Sequence, residues 1–81
     1  MNNDRKKNIS GECIAAGRKK SKLTQAELAD RLRKAGLRID RAGIAKIENG
    51  LRSVYDYELQ AFARALNVPV GEMLGVKKQR I

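Results

Sequence analysis

Residues 23–32, Leu-Thr-Gln-Ala-Glu-Leu-Ala-Asp-Arg-Leu, and residues 39–50, Ile-Asp-Arg-Ala-Gly-Ile-Ala-Lys-Ile-Glu-Asn-Gly, decide how this chain folds. In the first stretch Thr24 and Glu27 stand at the spacing of a capping box: the threonine hydroxyl accepts from the Glu27 N–H, and the glutamate reaches back to the Thr24 N–H. Leu23 and Leu28 flank the box as a hydrophobic staple. Leu28, Ala29 and Leu32 then recur at helical spacing, and Ala35-Gly36 supplies a stop. The second stretch repeats the device. Asp40 caps the first free N–H groups, Ile39 and Ile44 form the staple, Ile44 and Ile47 face inward, and Asn49-Gly50 tolerates the left-handed turn that ends the helix. A helix of about ten residues is unstable alone, so packing must hold it.

Working outward, a helix over Ser10 to Ser21 precedes these two, with little apolar surface beyond Ile14 and with Gly11 and Gly17 weakening it. A fourth follows from Tyr55 to Leu66, with Leu59, Phe62, Ala63 and Leu66 on one face. A short fifth follows Pro69, carrying Val70, Met73 and Leu74. Phe62, Leu66 and Met73 are expected to close the core. Tyr55 and Tyr57 at a helix start read as core edge and cap, in preference to stacking platforms for bases. No window alternates apolar and polar residues as a half-buried strand would, so the fold class is all-α: a compact five-helix bundle over residues 10–74, with a basic flexible arm over 1–9 and a basic tail over 75–81.

The inventory of side chains excludes most chemistry. The 81 residues contain no His, no Trp and one Cys, Cys13. A Ser–His or Cys–His nucleophile pair and a Cys/His zinc site cannot be assembled, and the carboxylates do not follow calcium-loop spacing. The chain is therefore expected to be no enzyme and to need no cofactor or metal. Its longest apolar run near the start, Cys-Ile-Ala-Ala, falls far short of a secretory or membrane segment, which implies a cytoplasmic protein with Cys13 as a reduced thiol.

The charge is uneven. The net charge is +9, and residues 1–22 carry +5, residues 31–52 carry +5 and residues 75–81 carry +3, while residues 23–30 and 53–74 are each −2. A basic stripe between acidic flanks, with two basic ends, is what a phosphate-facing surface requires; a solvated basic surface kept for solubility is the alternative for charge alone.

With Leu-Thr-Gln-Ala-Glu-Leu-Ala-Asp-Arg-Leu and Ile-Ala-Lys-Ile-Glu-Asn-Gly placed between a basic first helix and the Phe-Ala-Arg-Ala-Leu-Asn-Val helix, residues 10–74 resemble the lambda-repressor-like helix-turn-helix family, also called the XRE or Cro type. The resemblance implies that the second and third helices form the DNA-reading unit and that Asp40–Gly50 lies in the major groove. Arg41, Ala42 and Gly43 match the positions facing base edges, with Lys46 one turn on and suited to phosphate as well as base. Arg41 can pair bidentately with guanine O6 and N7, Ala42 can touch a thymine methyl, and Gly43 permits close approach. Gln25 matches a residue that grips a phosphate, and Thr24 stands beside it. Asn49, Arg52 and Ser53 match the loop that holds the adjacent phosphates, for which an ordinary helix cap and an exposed arginine are the alternative. Arg18 and Glu48 occupy the places of an ion pair joining the first and third helices. The chain departs from the family pattern in the turn, where about five extra residues around Arg33–Arg38 lengthen the second helix by about a turn and then the loop, and Arg33, Lys34 and Arg38 are candidates for further phosphate contacts.

These readings imply a sequence-specific, double-stranded-DNA-binding regulator, a repressor, of bacterial or phage origin and nucleoid-associated, acting as a homodimer on a pseudo-palindrome. Two alternatives stand beside it: a basic nucleic-acid-binding protein without sequence preference, and an antitoxin-like interaction module with a small protein partner and autoregulatory DNA binding.

Overall fold

The computed structural model describes residues 6–75, which form five helices: α1 (Gly11–Lys20), α2 (Gln25–Lys34), α3 (Arg41–Glu48), α4 (Asp56–Leu66) and α5 (Val70–Met73). Two of them, α2 and α3, begin at a side-chain cap. The Glu27 N–H donates to Thr24 Oγ1 at 3.0 Å and the Thr24 N–H donates to Glu27 Oε1 at 2.8 Å, completing the capping box of α2. Asp40 Oδ1 accepts from the Gly43 N–H at 2.8 Å at the head of α3.

The helix ends share one solution. After α1, α2 and α3 the chain turns through a left-handed residue, Lys22, Gly36 and Gly50 respectively, and the next amide donates five residues back, from Leu23 to Arg18 O, Leu37 to Leu32 O and Leu51 to Lys46 O. This closure satisfies carbonyls that would otherwise be left free at the helix terminus. Asn67, with φ +58°, performs the same turn after α4, where Val68 N donates to Ala63 O.

The amphipathic faces meet in one core. Ile14, Leu28, Leu32, Ile44, Ile47, Phe62 and Met73 are fully enclosed, and Ile39, Leu59, Ala63 and Leu66 are nearly so. Phe62, Leu66 and Met73 are thus buried together, α5 being held by Met73 while Val70 and Leu74 stand 38% and 41% exposed. A single turn of helix can present only one residue squarely to the core, and Met73 takes that place. The link between α2 and α3 spans residues 35–40 and is not loose, because Leu37 is half-buried and Ile39 buried against the core.

Two sequence expectations are corrected. Tyr55 and Tyr57 are not core-edge residues: they are 58% and 60% exposed and stack on each other, ring centroids 5.8 Å apart and planes within 9°. Tyr57 lies two residues from the buried Leu59, on the opposite side of the helix, while Tyr55, in extended backbone, is the N-cap residue of α4, so the cap half of the expectation holds for it. Of the arm expected over residues 1–9, residues 6–9 are tied to the body: the Lys7 N–H donates to Gly50 O at 2.8 Å, and Asn8 Nδ2 donates to Ile47 O at 3.0 Å and Arg52 O at 2.7 Å. Residues 1–5 of the arm and 76–81 of the basic tail lie outside the described residues.

Candidate nucleic-acid interface

Burial of Ile44 and Ile47 fixes which side of α3 faces outward. At about 100° per residue, Ala42, Ala45, Lys46 and Asn49 lie on the arc away from those two isoleucines with Arg41 at its edge, and Arg41, Ala42, Lys46 and Asn49 are exposed. Ala45, half-buried between Arg41 and Asn49, belongs to this arc and was passed over in the sequence; its i+4 spacing from Arg41 was the signal. Gly43 is half-buried at the edge, and its lack of a side chain has an internal reason: a Cβ there would lie 2.9 Å from Ile39 Cγ2 and 3.2 Å from the capping Asp40 Oδ1.

The setting of α2 against α3 is fixed by one carboxylate. Glu48 Oε2 accepts from Arg18 Nε at 2.7 Å, and Glu48 Oε1 accepts from Arg18 Nη2 and from Gln25 Nε2, each at 3.0 Å. Arg18 Nη1 also donates to Leu23 O at 2.8 Å. The junction is enclosed, the Arg18 and Glu48 side chains being 12% and 7% exposed, and the glutamate raises the Arg18 pKa by hydrogen bonding to its charged form. It joins α1, the turn before α2, the first residue of α2 and the last residue of α3. One amide hydrogen and the carbonyl oxygen of Gln25 remain for an external group, and Thr24 beside it is exposed.

The loop after α3 is built differently from the sequence reading. Arg52 faces inward: Nη1 and Nη2 donate to Glu58 Oε1 and Oε2 at 3.0 and 2.9 Å, and Nη1 also donates to Ser53 O. Glu58 is 4% exposed, and hydrogen bonding to Arg52 holds its carboxyl below the ordinary range against the opposing effect of burial. The same glutamate accepts from the Tyr55 N–H at 3.0 Å, which starts α4. Arg52 is therefore a strut between loop and α4, while Asn49 and Ser53 are exposed on the loop.

The remaining cations stay free. Among the described residues Arg38, Arg41 and Lys46 have no ion-pair partner, and the exposed face of α3 carries no carboxylate. Arg33 is drawn instead to Asp30, which Lys34 also approaches at 3.3 Å. A groove of about 610 Å3 opens between α2 and the 35–40 link, lined by Ala26, Ala29, Arg33, Arg38 and Ile39 among others. Chemically the surface offers unpaired donors on the exposed side of α3, flanked by a capped helix start on one side and an exposed polar loop on the other. Such an arrangement suits a polyanion with a groove wide enough for a helix.

A helix-turn-helix family model matches residues 14–73. The chain belongs to the lambda-repressor-like helix-turn-helix family. In helix-turn-helix terms α2 and α3 are the two-helix unit, and α3 is its second helix. Among solved structures, the chain is similar to the P22 c2 repressor protein in complex with synthetic operator 9T, with a TM-score of 0.72 and 26% identity over 86% of this chain and 98% of that one. No curated protein matches the chain in sequence. Among the described residues no helix is long and apolar enough to cross a membrane.

Proposed function

We propose that the protein is a sequence-specific DNA-binding transcriptional regulator, a repressor, that reads a pseudo-palindromic operator by inserting α3 into the major groove. The observation that carries this is the outward arc of α3: two unpaired cations and two small alanines on the second helix of a helix-turn-helix unit whose fold matches a repressor bound to its operator.

Arg41 at the start of α3 is the reader of guanine, through paired bonds to O6 and N7 worth about 1–3 kcal/mol of discrimination. Ala42 meets a thymine methyl, Gly43 lets the helix approach closely, and Lys46 reaches a base edge or the strand beside it. Thr24, Gln25, Arg38, Asn49 and Ser53 hold phosphates and set the register. The loop's polar groups rather than the Arg52 guanidinium face the backbone there, since Glu58 occupies that cation. The operator is read by a homodimer whose half-sites lie about one helical turn, roughly 34–36 Å, apart.

Selection from a randomised duplex pool at near-physiological salt tests the reading. Enrichment of an inverted repeat by the native chain, with one base pair relaxed for Arg41→Ala, is the expected result. Binding by both proteins without enrichment would shift the function to non-specific nucleic-acid association.

A further inference from the structure

Arg52 is the sole basic residue of the 49–53 loop, and Glu58 holds it inward. Another cation is laid against that loop from elsewhere in the chain. The Lys7 backbone N–H donates to Gly50 O at 2.8 Å, and its side chain is exposed with no ion-pair partner among the described residues. Its neighbour Lys6 differs, being paired with Glu12 at 2.7 Å.

Asn8 holds this segment in place. Its Nδ2 donates to Ile47 O, on the last turn of α3, and to Arg52 O in the loop, while its Oδ1 accepts from the Gly11 N–H at 2.7 Å. One side chain thus satisfies a carbonyl at the end of α3, a loop carbonyl and the first amide of α1. The surroundings leave little slack. A Cβ on Gly11 would meet Ile47 O at 2.1 Å, and a Cβ on Gly50 would meet Lys6 Cγ at 2.8 Å, so both glycines are sites where the N-terminal segment and the end of α3 touch closely.

We propose, resting on the DNA-binding reading above, that Lys7 supplies the phosphate-binding cation beside the 49–53 loop and that Asn8 is the positioning residue that keeps it there. The segment then works as a fixed part of the interface. A cation held at one point neutralises one phosphate and releases its counterions, contributing about 0.9 to the slope of log affinity against log salt.

The experiment is a titration of random-sequence duplex with the full chain across a salt series, read by fluorescence anisotropy, with melting temperature recorded for each variant. Lys7→Gln is expected to bind several-fold more weakly at low salt, with the slope flattened by about 0.9 and the melting temperature unchanged. Asn8→Ala is expected to flatten the slope by the same amount, and the double variant to be no flatter than either single one. A Lys7→Gln slope equal to that of the native chain overturns the proposal whether or not Asn8→Ala folds. A lowered melting temperature for Asn8→Ala with the native slope overturns the positioning role, since a merely structural residue would behave so. Failure of the native chain to bind the duplex at any salt overturns the DNA-binding reading itself, and this proposal with it.

Discussion

Two carboxylates, Glu48 and Glu58, each hold an arginine in bidentate fashion, and they carry different consequences. Glu48 joins three helices through Arg18 and Gln25. Arg18→Met leaves the glutamate enclosed without its cation, a change that costs about 3–5 kcal/mol where burial is complete. For a domain of this size that is a fall in melting temperature of about 10 °C or more; an unchanged melting temperature would show the pair to be dispensable. Glu58 adds a dependence on pH. Its carboxyl is held below the ordinary 4.5 by Arg52, so between the folded and unfolded values the unfolded chain binds more protons and stability rises with pH. The contribution is complete above about pH 4.5 and is lost as pH falls through the lower folded value. Glu58→Gln should cost about 1–3 kcal/mol at neutral pH and flatten the acid limb of the stability curve, measured by thermal denaturation between neutral and acid buffers. Glu12 and Asp30 are also shifted down by lysines, Lys6 and Lys34, but both are far more open to solvent than Glu58 and leave the limb to it.

The helices were legible in the sequence wherever the information is local. Capping boxes and staples act across three to five residues, and Thr24, Glu27 and Asp40 do in the structure what their spacing implies. Gly43 has a second reason to be small that the sequence did not show: it was read as a position of close approach to DNA, and Ile39 and Asp40 also crowd it from within. Helix propensity alone favours Gly43→Ala by about 0.8–1.0 kcal/mol, and overpacking opposes it by about 1–3 kcal/mol. Because Ile39 Cγ2 is a branched methyl on a buried side chain, the clash wins, and the variant should melt below the native protein in calorimetry. Long-range polar contacts were not legible. Asn8 bonds to backbone carbonyls 39 and 44 residues away, and a carbonyl acceptor leaves no mark in the sequence. The pairing of Arg52 was hidden for a related reason: an exposed loop cation and a cation turned toward Glu58 six residues on have the same local sequence, and only the course of the chain into α4 distinguishes them.

At the scale of the whole molecule, a chain of 81 residues with a single core has modest stability. DNA should therefore be a visible folding ligand. With duplex at about a hundred times its dissociation constant the folded state gains about 2.7 kcal/mol, which at about 4–8 °C per kcal/mol raises the melting temperature by at least 10 °C. The rise should shrink as salt is added, because most of the affinity is electrostatic; a shift that persists undiminished in high salt would contradict the role given to Arg38, Arg41 and Lys46. The stacked tyrosines have an optical consequence. Tyr55 and Tyr57 are the only tyrosines and the chain has no tryptophan, so all of its near-ultraviolet emission comes from one ring pair at the junction of the 49–53 loop with α4. Intrinsic fluorescence therefore watches a single corner of the protein, next to the Arg52–Glu58 strut. It reports the opening of that corner separately from the melting of the core, where Phe62 alone is aromatic and dark at those wavelengths.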